Sequence, residues 1–248
     1  MDERWVRGGG KVLEFSPVKI DFVNNFKSEL KIKSKTTNSK NWSNWRKENL
    51  KFLLSRNLNK DLLGLDIGAG DSPFKNYLNS LKLISIDFTR YPGINIICDL
   101  NDNIPIASES IDYIIMTNLL EHLYDLRVIN EAYRMLKKGG NLHITVPFLI
   151  EVHQAPYDYH RYTYLYLQKK LKEEGFEIEY IEPSGDFGTF QKLTGIYYSF
   201  PIQKGDLVAK LLWQFQKIIN YLLKKFVPNN FRNDFTGGYM LSAKKPLN

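Results

Sequence analysis

The sequence predicts an α/β protein, a mostly parallel sheet with helices on both faces. Three observations carry that prediction. Short apolar runs alternate with helical patterns through residues 61–148, the order expected of parallel strands joined by crossover helices. The first run leads at once into a glycine-rich turn, Asp66-Ile67-Gly68-Ala69-Gly70. Acidic residues, Asp66, Asp87 and Asp99, then stand at the ends of the first three runs.

Each element has its own signal. Residues 1–60 read as a basic N-terminal extension or lid, with a polar run at 31–44 and a helix-like stretch at 45–54. Apolar runs at 62–67, 81–86, 94–97, 113–116 and 142–146 read as strands. Ser72-Pro73 offers an N-cap and a first-turn proline, predicting a helix directly after the first strand. Asp125 predicts a second helix with Leu126, Ile129, Tyr133 and Leu136 on its apolar face. Lys137 and Lys138 suit its C-terminus, and Gly139-Gly140 should stop it. Thr163 caps a third helix that ends at Gly175, with strands to follow at 176–181 and 238–243. Residues 61–248 then form one domain carrying a helical insertion at about 186–235. Inside it, Val208, Leu211, Leu212, Phe215, Ile218, Ile219, Leu222 and Phe226 make a helical stripe opposite several lysines. Such a helix either packs on the domain or lies on an anionic membrane surface, and both readings stay open.

Composition narrows the function classes. The 248 residues are 43% hydrophobic with a net charge of +7, which excludes a wholly disordered chain. A single cysteine, Cys98, excludes an internal disulfide framework and a cysteine-based zinc cluster. With no apolar leader after a basic start and no run of 18 apolar residues, the expected location is the cytoplasm, including the inner membrane face. Residues 1–60 hold 14 basic against 6 acidic residues, whereas residues 61–148 hold 7 against 11. The basic front end is either a solvated surface or one that meets anions; the acidic middle suits a hydroxyl-rich or cationic ligand. No RNA-binding module is recognisable, so a nucleic-acid partner is not expected.

The glycine turn lets the backbone come close to a ligand at a helix N-terminus. A pyrophosphate fingerprint wants a third glycine near where Pro73 stands, so a ligand without phosphate fits better. Asp87, 21 positions after Asp66, is placed to accept from ribose hydroxyls, and Asp99 from an exocyclic adenine amino group. Three carboxylates suit a neutral nucleoside attached to a cation.

With those residues in place, the chain resembles the class I S-adenosylmethionine-dependent methyltransferases, most closely the branch similar to the ubiquinone and sterol enzymes. The resemblance runs through Leu62 to Gly70, Ile86-Asp87, Asp99-Leu100, Ile104-Pro105, Ser110 to Asp112, Asn118 to Leu123, and Glu131 to Gly140. It implies a Rossmann-like seven-stranded sheet with an antiparallel last strand, and S-adenosylmethionine as cofactor. It also implies that Gly68 and Gly70 make room for the methionine part, that Asp87 binds ribose and Asp99 the adenine amino group, and that Asp66, Ala69 and Leu100 belong to the same cofactor site. Asn118 would lie beside the sulfonium. A further stretch, Val146 to Phe148, His153 and Pro156 to Thr163, is similar to a subset associated with surface-polysaccharide and lipid-linked glycan modification.

The acceptor side is expected after the fifth strand. An alcohol acceptor must lose a proton, and histidine is the usual side chain for that. His153 or His160 is the expected base, Asp158 its orienting partner, and Arg161 the holder of an anionic substrate group, with His122 and Tyr159 lining the pocket; His122 competes as base unless it faces the helix packing. The competing reading has Asp158 and Arg161 simply pinning a loop. No metal is expected, because the His and Asp spacings in this segment fit no regular ligand set. The functional expectation is O-methylation of a small molecule or glycan, including a lipid-linked sugar. A non-catalytic cofactor-binding scaffold and a nucleic-acid methyltransferase are the alternatives.

Overall fold

The computed structural model describes residues 44–55, 62–78, 82–184, 215 and 236–248, all within one compact unit, Thr36–Asn248. Helix α1 (Asn44–Leu54) comes first. It is followed by β1 (Leu63–Ile67), β2 (Lys82–Asp87), the two-residue β3 (Ile96–Ile97) and β4 (Ile111–Thr117). A 3-10 turn at Leu120–His122 leads to α2 (Arg127–Met135) and β5 (Leu136–Pro147). Helix α3 (Tyr164–Glu173), β6 (Glu177–Ser184) and β7 (Gly238–Lys244) complete the described elements.

The strands form one seven-stranded sheet in the order β3-β2-β1-β4-β5-β7-β6. Pairs from β3 across to β5 are parallel, whereas β7 runs antiparallel between β5 and β6. Strand order turns back at β1, whose neighbours are β2 and β4. A crevice outside the carboxyl ends of the strands forms at such a switch point.

Alternation along β4 sorts the core into two layers. Tyr113 and Ile115 face a cluster with Phe52 and Leu53 of α1, Phe74, Leu78 and Met240. Ile114 and Met116 face the other cluster, which takes in Val128, Ile129 and Ala132 of α2 and Leu167 and Leu171 of α3. Each of the Val, Leu, Ile, Phe and Met side chains among these, once fully buried, contributes about 1.5–3 kcal/mol. Helices therefore cover both faces, as the alternating pattern implies.

Local expectations hold at α3, where the Thr163 side chain accepts from Tyr166 N at 3.2 Å and Gly175 turns the chain at φ +95°. They fail at two places. Residues 71–78 form successive turns rather than the helix expected from Ser72-Pro73. Ser72 sits at φ +48°, outside the extended conformation an N-cap needs, and its N–H donates to Ala69 O at 2.8 Å. Phe74 and Leu78 are nonetheless buried. Helix α2 stops at Met135, short of the expected Gly139. Leu136 is extended and opens β5, and the register against β4 shifts between Ile111 and Tyr113. Gly139, at φ +78°, sits in that irregular stretch and donates to Lys245 O at 2.8 Å, while Lys245 N donates to Gly140 O at 2.9 Å. Strand pairing there outweighs the helix preference of two lysines. The predicted insertion at 186–235 and the stripe within 207–227 lie outside the described residues, except Phe215.

One clamp fixes α2 to the chain before β4. The buried Glu131 carboxylate accepts from Ile104 N at 2.9 Å and from the Arg134 guanidinium at 2.8 and 2.9 Å. Arg134 also donates to Ile104 O and Ile106 O at 3.0 and 2.7 Å.

Candidate functional site

The glycine turn and the end of β2 are laced together. Gly68 N and Ala69 N both donate to Ile86 O, at 2.9 and 3.1 Å. The Asp87 carboxylate accepts from Gly70 N at 2.9 Å and from Thr89 N at 2.8 Å. Gly68 and Gly70 have φ values of +72° and +55°, where a side chain is strained. A methyl group added at Gly70 would meet nothing within 4 Å, so the space above that backbone is open. Ala69 and Leu100 are buried beneath.

Electrostatics at this edge are acidic. Burial, and then the charge of Asp87, pushes the Asp66 carboxyl up to about 7, with Lys75 opposing. Burial also raises Asp87, against the pull of the Thr89, Gly70 and Phe88 amides and of His122. The last effect puts His122 within electrostatic reach of the end of β2. Among the described residues, Asp66 Oδ1, Ser72 Oγ and Thr89 Oγ1 are buried without a hydrogen-bond partner. Asp99 Oδ1 accepts from the Asn101 backbone and side-chain amides at 3.0 and 3.1 Å.

Beyond β4, Asn118 adopts φ +52°, a strained conformation for a side chain. Its N–H donates to Thr145 O at 2.9 Å, and its Oδ1 accepts from Trp45 Nε1 at 3.0 Å. Trp45 lies on α1, and its ring packs where a Cβ on Gly238 would come within 2.3 Å of it. Asn49, also on α1, donates to Thr145 Oγ1 at 3.2 Å. Sequence reasoning did not assign Trp45 or Asn49 a role, because their partners are 73 and 96 residues away.

The segment after β5 docks on the 3-10 turn. Tyr159 N and His160 N donate to Glu121 O at 2.8 and 3.3 Å. The Asp158 carboxylate accepts from His153 N at 2.8 Å and lies 3.2 Å from His153 Nδ1. Arg161 grips the same carboxylate through both terminal nitrogens and also donates to Ile150 O, Glu151 O and His160 O. Burial opposes ionisation of Asp158, but Arg161 and the His153 amide outweigh it and hold the carboxyl down to about 2. Glu121 first, with help from Asp158, holds the His153 imidazole above its ordinary value against burial.

The structure thus brings His153, Asp158 and Arg161 together and sets His122 beside them, its ring centroid 5.4 Å from that of His153. His160 stands apart from Asp158 and directs Nε2 at Tyr124 O, 3.3 Å away. Tyr159 stacks on Tyr124 at 4.7 Å. Glu121, to which the sequence reading gave no role, is fully buried at the centre of the group.

Sheet order, the antiparallel β7 and the glycine turn facing acidic strand ends define the class I methyltransferase fold. A protein-family model described as a hypothetical methyltransferase matches residues 30–195, and the chain belongs to that family. An uncharacterised protein of Methanocaldococcus jannaschii is 30% identical over 110 residues, 40% of this chain and 47% of that protein, so the match spans about half the relative's length. Among solved structures, a SAM-dependent methyltransferase from Archaeoglobus fulgidus superposes with a TM-score of 0.57 at 17% identity, covering 91% of this chain and 100% of that one. Phosphoethanolamine N-methyltransferase 2 of Haemonchus contortus, in complex with S-adenosyl-L-methionine, gives 0.54 at 15% identity, covering 89% and 60%. The [4+2]-cyclase SpnF gives 0.55 at 18% identity, covering 83% and 85%.

Proposed function

We propose that the protein transfers a methyl group from S-adenosylmethionine to a hydroxyl oxygen of a small-molecule or glycan acceptor. The observation that carries this is the pairing of Asp66 and Asp87 around an open glycine turn, with unpartnered buried oxygens beside them. A pyrophosphate would meet two carboxylates there, whereas a nucleoside bearing a sulfonium and an ammonium meets the complementary charge. Asp87 would hold the ribose through its remaining lone pairs, Asp99 and Leu100 the adenine, and Gly68 to Gly70 the methionine part.

When bound, the sulfonium supplies an electrophilic methyl; the new O–CH3 bond forms as the C–S bond breaks, its electron pair staying on sulfur. What this chain contributes is orientation at the carboxyl edge and an outlet for the acceptor's proton. Asn118, held by Trp45 and by Thr145 O, stands at the end of β4 where the two ligands would meet. Of the two histidines expected as base, His153 is the one supported by the Asp158 contact. The resemblance of the segment at 146–163 to glycan-modifying enzymes favours a sugar hydroxyl as acceptor.

Calorimetric titration with S-adenosylhomocysteine, with NADH as control, tests the donor. Binding of the first alone is expected, and Asp87→Ala should weaken it by about 2–3 kcal/mol through loss of hydrogen bonds to a charged acceptor. No binding of S-adenosylhomocysteine would refute the proposal. A cyclase shares this fold, so mass gain of a hydroxylated acceptor by one methyl group is the second readout.

A further inference from the structure

We propose that Glu121, His122 and His153 form a binding site for a divalent transition-metal ion. One donor atom from each of the three lies within 4.8 Å of the others. Glu121 Oε1 is 3.6 Å from His122 Nε2 and 3.8 Å from His153 Nε2. Both distances are too long for hydrogen bonds. They lie at, and about 0.2 Å beyond, the upper end of the donor–donor edges of about 3.3–3.6 Å expected around a tetrahedral ion held at 2.0–2.2 Å.

Three further observations point to an ion. First, Glu121 is completely buried, and neither of its carboxylate oxygens has a hydrogen-bond partner. A buried carboxylate left that way is costly, and an ion shared with the two imidazoles compensates it in place of a proton on His153. Second, the imidazoles are oriented as metal ligands are. His122 Nδ1 is 2.7 Å from Tyr157 O, and His153 Nδ1 is 3.2 Å from Asp158 Oδ2 and 3.3 Å from Glu151 O. Each Nδ1 thus has an acceptor for its proton, which leaves the Nε2 lone pair turned towards Glu121. Carbonyl and carboxylate partners of this kind fix the ring and its tautomer at metal centres. His122 Nε2 is itself buried without a partner. Third, Arg161 locks Asp158 and so stabilises the outer support of His153.

Two imidazoles and one carboxylate select zinc, iron, cobalt or manganese over magnesium or calcium. The His153 side chain is 30% exposed, so the site is open on that side and leaves positions for an outside oxygen. A cation there favours the deprotonated form of a hydroxyl placed beside it and so takes over the activation of the acceptor from His153, whose Nε2 is then occupied by the ion and accepts no proton. That role rests on the methyl-transfer reading; the metal site does not. Spacing within the segment 153–161 hid it, because two of the three ligands come from the turn after β4.

The test uses the full, untagged chain after chelator treatment. Titration with Co2+ and with Zn2+ is followed by calorimetry, metal analysis after dialysis and, for cobalt, visible absorption. One ion per chain with micromolar or tighter affinity is expected, together with ligand-field bands. Glu121→Gln and His153→Asn should each weaken binding at least tenfold; the partial exposure of His153 makes its variant the safer one to fold. Asp87→Ala should leave metal affinity unchanged while weakening S-adenosylhomocysteine binding, and His153→Asn should weaken metal binding while leaving S-adenosylhomocysteine affinity unchanged. That pair separates failure of the metal site from failure of the donor proposal. No binding at 1 mM ion, or unchanged affinity in folded His153→Asn, would overturn the assignment.

Discussion

Asp66 shows how a buried carboxyl in the proposed donor site shapes stability. Its carboxyl titrates near 3.8 in an unfolded chain and about 7 in the folded one. Between those values the folded chain keeps a proton that the unfolded chain has lost, so stability falls as pH rises through that window and levels off above it. Asp66→Asn cannot titrate and should remove this slope, a difference on the order of 2–4 kcal/mol between pH 4 and pH 8. Urea unfolding of both proteins across that range is the check; parallel curves would refute it. The turn at Gly68 and Gly70 and the strand-end places of Asp66 and Asp87 were legible in the sequence, because a tight turn after a strand is a local pattern. Trp45, Asn49 and the grouping of Glu121 with His153 were not, since each depends on contacts between distant parts of the chain.

At the level of elements, the Glu131–Arg134 clamp joins α2 to the segment entering β4. Arg134→Ala strands a nearly buried carboxylate and should cost about 2–3 kcal/mol, discounted from a fully buried pair because the guanidinium is one-third exposed. Arg134→Lys should recover little, since one ammonium cannot reach two carbonyls and both carboxylate oxygens. Chemical denaturation of the two variants measures both effects; full rescue by lysine would show that charge alone matters. Capping signals were read with mixed success for a physical reason. Thr163 works because its backbone is extended, whereas Ser72 fails because the turn before it forces a left-handed conformation. The lysine pair at 137–138 fits either a helix end or a strand irregularity, and only the partners of Gly139 and Gly140 decide.

Across the whole molecule, the mostly parallel sheet with helices on both faces was legible because apolar runs alternate with helical patterns, whereas the antiparallel last strand came through the family resemblance and the strand order only from the structure. The proposed donor site draws on β1, β2, β4 and the chain after β3, so occupancy should stabilise the unit as a whole. S-adenosylhomocysteine at one hundred times its Kd should add about 2.7 kcal/mol and raise Tm by about 5–10 °C. Scanning calorimetry with and without the ligand reads this directly, and an unchanged Tm at saturation would count against a site shared by so many strands. Among the described residues no helix is long and apolar enough to cross a membrane.

The Trp45–Asn118 bond also gives the proposed donor site a built-in optical probe. An indole whose N–H is tethered to the end of β4 changes its emission when that neighbourhood loses water or gains a charge. The chain has four tryptophans, so the contribution must be isolated by difference. A fluorescence change on adding donor or product should vanish in Trp45→Phe, and its concentration dependence would report occupancy without any label.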